Sequence, residues 1–291
     1  MNAVSPGVER VLPATLALVL AHVALPWSFE PVPVAVGLAA LALFAQGFVR
    51  LRRRAGREHA GWDRAALFSL SVCAGVLPLV SPLDRLSDRY LLSAHMLEHV
   101  LIGDVAPALA LVAVRGPLVF FLLPQAALRR LAALRRLRAA LSFLLRPKVA
   151  FVVWTAVTAA WHVPAAYDFA LAHASVHDLE HATFVLAGVL VWAQLVDPAR
   201  RRALSDAGRI FYAWGLFAAA HLTTDLILTD DTAHYAPYAR QPTRLLGLSP
   251  VADQHWAAAV MTVEQLLAFG ILTAILVRRI PAVSAQGRQA V

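Results

Sequence analysis

The sequence has few residues of the kinds that stabilise a secreted domain or dissolve a globular one. Its 291 residues include a single cysteine, Cys73, and charged residues make up only 15%. One cysteine excludes an intramolecular disulfide framework, and a soluble domain usually has about a quarter charged residues. Glycine, at 14 residues, is too rare for a collagen-like chain. Apolar residues instead make up 59%, which excludes a disordered chain and indicates a membrane protein.

Apolar runs of membrane-spanning length recur along the chain. A hydrocarbon core about 30 Å thick needs roughly 20 apolar residues in a helix. The first run follows Arg10 and is short enough for a signal-peptide core, but no clear cleavage site follows it, so we expect a retained helix. We predict an all-α, polytopic transmembrane helix bundle of seven or eight spans, forming a single transmembrane domain over 1–291. The predicted spans are about 11–27, 31–50, 64–82, 90–114, 148–165, 175–196, 207–228 and 252–279.

Lysine and arginine predict the orientation of these spans. The loops that alternate to one side, together with both termini, hold 22 of the 26 basic residues. The positive-inside rule assigns that side, including the C-terminus, to the cytoplasm. The net charge of +8 is spread between apolar runs and is not collected on one exposed face of a folded domain, so we expect no nucleic-acid partner.

The long basic loop after the fourth span has a periodicity of its own. Over 124–146, six leucines recur every three or four residues and five arginines lie between them. This spacing predicts a basic amphipathic interfacial helix that lies on anionic lipid. A topology anchor is the simpler function for such a helix, and a docking site for a partner is the alternative.

Histidines are concentrated on the opposite side of the predicted bundle. Ten of the eleven histidines fall in the outer halves of spans or in outer loops, and His59 is the exception. A polar side chain inside a bilayer is costly and normally faces the bundle interior with a partner. Histidines beside carboxylates at one end of a bundle therefore indicate a site that binds a metal or moves protons. A purely structural role is the alternative.

One seven-residue pattern occurs twice. Residues 93–99 and 175–181 both contain S-x-H-x-L-E-H, at an offset of 82 positions, and Pro82 and Pro164 match at the same offset. The match predicts a parallel two-helix repeat related by an axis along the membrane normal, with chance similarity between apolar helices as the alternative. Ser175 with Asp178 resembles a capping box, which predicts that the second helix begins there.

The spacing within this pattern suits metal binding. The two histidines of each copy are four residues apart, and side chains at that spacing lie on one helix face with their Cβ atoms about 5–6 Å apart. Two facing pairs could therefore supply four imidazoles, while nearby carboxylates could ligate the metal or orient an imidazole. The predicted metal-site residues are His95, His99, His162, His177, His181, Glu98 and Glu180.

Residue chemistry leaves the metal and the activity open. Imidazole suits zinc, copper, iron and nickel, and soft ligands are scarce, since Met96 and Met261 are the only methionines beyond Met1. H-x-x-E-H is also the inverted zinc-protease pattern, so a membrane-embedded zinc hydrolase is one alternative. A haem-b electron-transfer protein is another, although bis-histidine ligation takes one histidine from each of two helices and here each helix carries two.

Two stretches carry a resemblance to a known family, residues 93–99 with Ala106-Pro107 and residues 161–184. They resemble the H-M-x-x-H … A-P run and the second signature of the caa3-type cytochrome c oxidase assembly factor (CtaG) family. Val100 departs from the pattern, because the family commonly has a second methionine there. The resemblance covers about 60–280.

This resemblance implies a non-enzymatic, multi-pass protein of the bacterial plasma membrane that helps to mature a haem–copper oxidase. Its partner would be an oxidase subunit. Copper would be bound transiently at the histidines on the non-cytoplasmic side and delivered to that subunit, with zinc or haem as the alternatives.

Overall fold

The computed structural model describes residues 27–55, 58–228 and 230–280. These ranges are helical and contain no strand, which confirms the all-α class. The first predicted span, 11–27, lies outside them except for its last residue. The helices are α1 Pro31–Ala55, α2 Trp62–Val80, α3 Pro82–Arg89, α4 Leu92–Val114, α5 Gln125–Ala133, α6 Arg135–Leu144, α7 Pro147–Trp161, α8 Pro164–Ala172, α9 Ala174–Leu195, α10 Asp206–Leu228, α11 Ala236–Ala239 and α12 Pro250–Val277.

Four of the described helices, α1, α2, α4 and α12, are long and apolar enough to cross a membrane. Helices α6 and α7 meet at an angle of 75° and would add a fifth span if the bent pair counts as one. The predicted spans 175–196 and 207–228 correspond to α9 and α10, which are not among the four. A membrane protein is therefore supported, and the count of seven or eight spans stays a prediction.

The two sequence copies begin their helices at matching positions. Helices α3 and α8 begin at Pro82 and Pro164, and α4 and α9 begin at Leu92 and Ala174, so both pairs keep the offset of 82. Proline suits the first position of a helix because its missing N–H has no partner there and its φ is already helical. Each copy is therefore a short helix and a turn followed by a long helix that carries the histidine pair.

Helices α4 and α9 touch through glycine. A Cβ at Gly188 of α9 would lie 1.8 Å from the carbonyl oxygen of Gly103 in α4, so no larger residue fits without moving a backbone. Small residues let membrane helices approach closely. Gly103 lies in a π-helical turn, Leu101–Val105, that follows the histidine pair of α4 directly. The contact holds the two histidine-bearing helices together about one turn past His99 and two turns past His181.

The basic loop forms two short helices where a single helix over 124–146 is expected. Helices α5 and α6 are separated at Leu134, whose φ of −78° and ψ of 85° are not helical. Neither helix has a buried residue, and Leu131, Leu137 and Leu141 are exposed. The expectation of one continuous helix is therefore wrong, and the contact of these leucines with lipid stays a prediction.

Candidate metal centre

Two histidines from α4 and two from α9 converge at one end of the bundle. One ring nitrogen from each residue lies within 4.8 Å of the corresponding nitrogens of the other three. Across the two helices, the ring centroids of both facing pairs are 5.2 Å apart. Because one metal ion can contact several nitrogens at this spacing, the group can act as a four-imidazole ligand set. Its members are His95, His99, His177 and His181.

Helix α12 holds the start of α4 in place through a buried carboxylate. Asp253 accepts hydrogen bonds from the backbone N–H of Leu92 at 2.6 Å and of Ser93 at 3.2 Å, and also from the Ser93 hydroxyl. The first N–H groups of a helix have no intrahelical partner, and negative charge there is favourable. Asp253 therefore fixes the first turn of α4, which carries His95 and continues into the turn that carries His99.

The second copy begins differently from the predicted capping box. Helix α9 begins at Ala174, with His173 as its N-cap and no side-chain hydrogen bond to the cap. Ser175 is exposed and lies within the first turn. The expectation that Ser175 caps this helix is therefore wrong. In the first copy, the equivalent serine is Ser93, whose hydroxyl donates to Asp253 of α12 at the start of α4. Among the described residues, Ser175 has no such contact, because Asp253 lies beside the first copy alone.

A tyrosine from α11 determines which nitrogen of His95 carries a proton. The Tyr238 hydroxyl donates to the carbonyl of Ser87 at 2.6 Å and lies 3.2 Å from His95 Nδ1. A hydroxyl has one proton and a carbonyl can only accept, so Nδ1–H of His95 donates to the tyrosine oxygen. The Tyr167 hydroxyl, 2.9 Å away, donates to the same oxygen. The lone pair of His95 is therefore on Nε2, which lies 2.9 Å from His99 Nε2.

Helices α4 and α9 each place a glutamate beside a histidine of the other helix. Glu98 Oε1 of α4 lies 3.5 Å from His181 Nε2, and Glu180 Oε1 of α9 lies 3.8 Å from His99 Nε2. Both glutamates are buried, and Ser87 donates to Glu98 Oε2 at 2.8 Å. The two glutamate distances exceed that of a direct hydrogen bond. The glutamates are therefore placed to orient the imidazoles, or to approach a metal after a small movement.

Helix α3 adds an acidic pair that the sequence analysis does not assign to the site. Asp88 Oδ1 lies 3.8 Å from His177 Nε2 and 3.9 Å from His95 Nδ1. Burial raises the pKa of Asp88 to about 6, against the opposing charge of Arg89. Burial and the charge of Asp88 also raise the pKa of Asp84 to about 6. In their ionised form these carboxyls add negative charge beside the imidazoles.

His162 does not join the four histidines. It is the C-cap residue of α7. Its Nδ1 lies 2.7 Å from the carbonyl of Thr158, and its Nε2 lies 3.4 Å from the Met261 sulfur of α12. Its ring borders a cavity of about 60 Å³ that His99 also lines. The sequence indicates neither this position nor the sulfur contact, because His162 and Met261 are 99 residues apart.

Other embedded acidic residues lie farther along the helices. The indole N–H of Trp192 donates to Asp104, which is buried. Glu264 Oε2 of α12 is buried and has no hydrogen-bond partner among the described residues. The side chain of Asp225 lies outside the described residues. Neither Asp104 nor Glu264 belongs to the four-histidine group.

Comparison with known proteins supports the likeness found in the sequence. The family model for the cytochrome c oxidase caa3 assembly factor (Caa3_CtaG) matches residues 42–281. This range includes the four histidines, the carboxylates around them and the helices from α2 to α12. No curated protein and no solved structure matches the chain. Because the match covers most of its length, the chain belongs to the cytochrome c oxidase caa3 assembly factor (Caa3_CtaG) family.

Proposed function

We propose that this assembly factor binds copper at the four-histidine centre and delivers it to a subunit of the oxidase. The observation that carries the proposal is the convergence of four imidazole nitrogens within 4.8 Å of one another. Among divalent first-row metals, copper binds a given nitrogen site most tightly, and imidazole is a ligand for copper in general, so the proposal covers both Cu(I) and Cu(II). Family membership supports the oxidase as the recipient, and the four imidazole ligands support copper as the ion that is delivered.

The centre has a more accessible side through which an ion can exchange. The side chains of His177 and His181 are 13% and 12% exposed, whereas His95 and His99 are 0% and 5% exposed. An ion can therefore enter and leave past the histidines of α9. Asp88, beside His177, adds negative charge on that path. A delivery protein needs such a path because its cargo must be released.

We further propose that the centre faces the non-cytoplasmic side of the bacterial plasma membrane. Helix α4 begins at the histidines and is followed by Arg115 and the basic helices α5 and α6. Helix α12 runs the same way, from Asp253 beside the start of α4 to Arg278 and Arg279. Because basic flanks favour the cytoplasm, the opposite ends of both helices, and the histidines with them, belong outside.

Copper binding by the purified full-length chain tests the proposal. The double variants His95→Ala/His99→Ala and His177→Ala/His181→Ala each remove one helix's pair. We expect both to lose the copper bound at this centre. His173→Ala is the matched control, since His173 is an exposed histidine at the start of the same helix α9 and its loss should leave binding unchanged. Unchanged copper stoichiometry in both double variants would reject the site.

A cellular measurement tests delivery separately from binding. In cells that depend on this factor, the double variants should lower the copper content and activity of the purified oxidase, while His173→Ala should support normal assembly. If the double variants lose bound copper but still produce fully loaded oxidase, the centre binds copper without delivering it.

A further inference from the structure

The contact between His162 and Met261 brings two lone pairs together. His162 Nδ1 lies 2.7 Å from the backbone carbonyl of Thr158, and a carbonyl can only accept a hydrogen bond. The proton of the neutral imidazole is therefore on Nδ1, and Nε2 carries a lone pair. That lone pair lies 3.4 Å from the Met261 sulfur, and a thioether has no proton to donate. A cation between the two atoms would satisfy both.

This arrangement has the features of a prepared metal ligand. A metal-bound histidine usually donates its other ring N–H to a backbone carbonyl or a carboxylate, which fixes its tautomer and its ring orientation. The Thr158 carbonyl does this for His162. Metal–nitrogen and metal–sulfur distances are about 2.0 and about 2.3 Å, so one ion can contact two atoms that are 3.4 Å apart.

A third ligand is available next to this pair. His99, His162 and Met261 all line the cavity of about 60 Å³, together with Gln265 of α12. His99 is buried, and its Nδ1 has no hydrogen-bond partner among the described residues. Its Nε2 belongs to the contact with His95. One imidazole therefore touches the four-histidine centre with one nitrogen and borders the cavity with an unused second nitrogen.

We propose that this cavity is a second metal site that takes monovalent copper, bound by His162 Nε2 and Met261 Sδ. His99 Nδ1 completes it while His99 Nε2 keeps its proton, because a neutral imidazole has one lone pair, and the first centre then holds its ion through His95, His177 and His181. A thioether selects Cu(I) over harder ions, and none of the four ligands at the first centre is a sulfur. Copper binding at this site does not depend on the proposed function. A role as a second binding site for copper on its way to the oxidase does rest on the proposed function. His99 can ligate at one site or at the other, and it is the residue that the two sites share.

X-ray absorption at the copper edge tests the site through its sulfur ligand. The full-length protein is loaded with Cu(I) without oxygen and titrated against a chromophoric Cu(I) chelator. We expect the wild type to bind two equivalents and to show copper–sulfur scattering. Met261→Leu should lose one equivalent and all of that scattering. Met96→Leu is the matched control, because Met96 is a buried methionine that does not line the cavity, and it should keep both.

Selenomethionine labelling provides a readout in the unmutated chain. Copper–selenium scattering should replace copper–sulfur scattering in the labelled wild type and be absent from labelled Met261→Leu. Copper–sulfur scattering that persists in Met261→Leu, or a wild type without any, would overturn the proposal whether or not the variant folds normally.

The double variant His177→Ala/His181→Ala separates this inference from the proposed function. If both hold, it keeps one equivalent and the sulfur signal. If the wild type binds a single, sulfur-free equivalent that this double variant loses, the first centre stands and the second site is refuted. If the only equivalent carries the sulfur signal and survives the double variant, the second site stands and the proposed function fails. A wild type that binds no copper refutes both.

Discussion

At the scale of single residues, proton positions determine which imidazole nitrogens can bind a metal. Tyr238 has one hydroxyl proton, which goes to Ser87, and its oxygen accepts from His95 Nδ1. His162 is held in the same tautomer by the Thr158 carbonyl. In both cases a hydrogen bond from one nitrogen places the lone pair on the other nitrogen, which prepares the ring to act as a ligand before any ion arrives.

The substitution Tyr238→Phe tests this role of the hydroxyl. It removes the acceptor for His95 Nδ1–H and the donor to Ser87, so His95 loses its preferred tautomer and orientation. Loss of such a supporting partner typically weakens metal binding about 10- to 100-fold, and we expect copper affinity to fall in that range. Competition titration with a copper chelator measures it. Tyr212→Phe, which removes a tyrosine bond to the Pro147 carbonyl in another part of the bundle, should change affinity little.

The substitution Glu98→Gln distinguishes a carrier from a hydrolase. Glu98 Oε1 lies 3.5 Å from His181 Nε2, so in a carrier its carboxyl group orients that imidazole. We expect copper affinity to fall about tenfold, with oxidase assembly falling in parallel. Glu180→Gln should act similarly, because its contact with His99 mirrors that of Glu98. In a zinc hydrolase the glutamate is the general base, and function would then be lost while metal binding stayed intact.

At the scale of helices, the facing of the two histidine pairs depends on the contact between Gly103 and Gly188. Gly188→Ala would place a methyl group 1.8 Å from the Gly103 carbonyl oxygen. The helices must then separate, at a cost of about 1–3 kcal/mol for overpacking, and the four nitrogens move apart. We expect lower thermal stability and weaker copper binding, measured by thermal unfolding and chelator competition on the same preparation.

Gly270→Ala is the control for this substitution. Gly270 lies inside helix α12, and no described atom is within 4 Å of the position that its Cβ would occupy. Since alanine is a better helix residue than glycine, this variant should be as stable as the wild type or slightly more stable. Equal effects of the two substitutions would show that the close contact with Gly103 has no special part in forming the centre.

Local spacing predicts part of this arrangement and misses the rest for a physical reason. Residues four apart on a helix share a face, so the histidine pairs, the glutamates beside them and the matched helix starts could be predicted from the repeated pattern. Asp88 could not, because the turn between α3 and α4 interrupts helical spacing. The contact of His162 with Met261 joins α7 to α12, and no local pattern relates residues so distant in the chain.

The break at Leu134 has a similar explanation. The leucine spacing over 124–146 fits a helix almost throughout, and a hydrophobic period indicates a helical face better than it indicates where a helix stops. Leu134 is neither proline nor glycine, so its residue type does not predict the non-helical backbone that the structure has there. Periodicity therefore predicted helical structure in this loop correctly and its continuity wrongly.

At the scale of the whole molecule, helices that are distant in the chain form the centre and its surroundings. Helices α4 and α9 supply the four histidines, while α12 supplies Asp253 to the start of α4 and Met261 to His162. Ligands from helices distant in the chain can meet only after the bundle has assembled. Removing any of these helices should therefore abolish copper binding, since an isolated pair of helices lacks part of the support.

The orientation of the bundle is the prediction that belongs to this scale. The positive-inside rule places the start of α9 outside the cell and α6 in the cytoplasm. Ser175 and Ser142 are exposed residues in these two helices. In a Cys73→Ala background, which removes the only natural cysteine, a membrane-impermeant maleimide should label Ser175→Cys in intact spheroplasts. It should label Ser142→Cys only after the membrane is opened. The reverse pattern would put the histidines on the cytoplasmic side and require copper to be supplied from the cytoplasm.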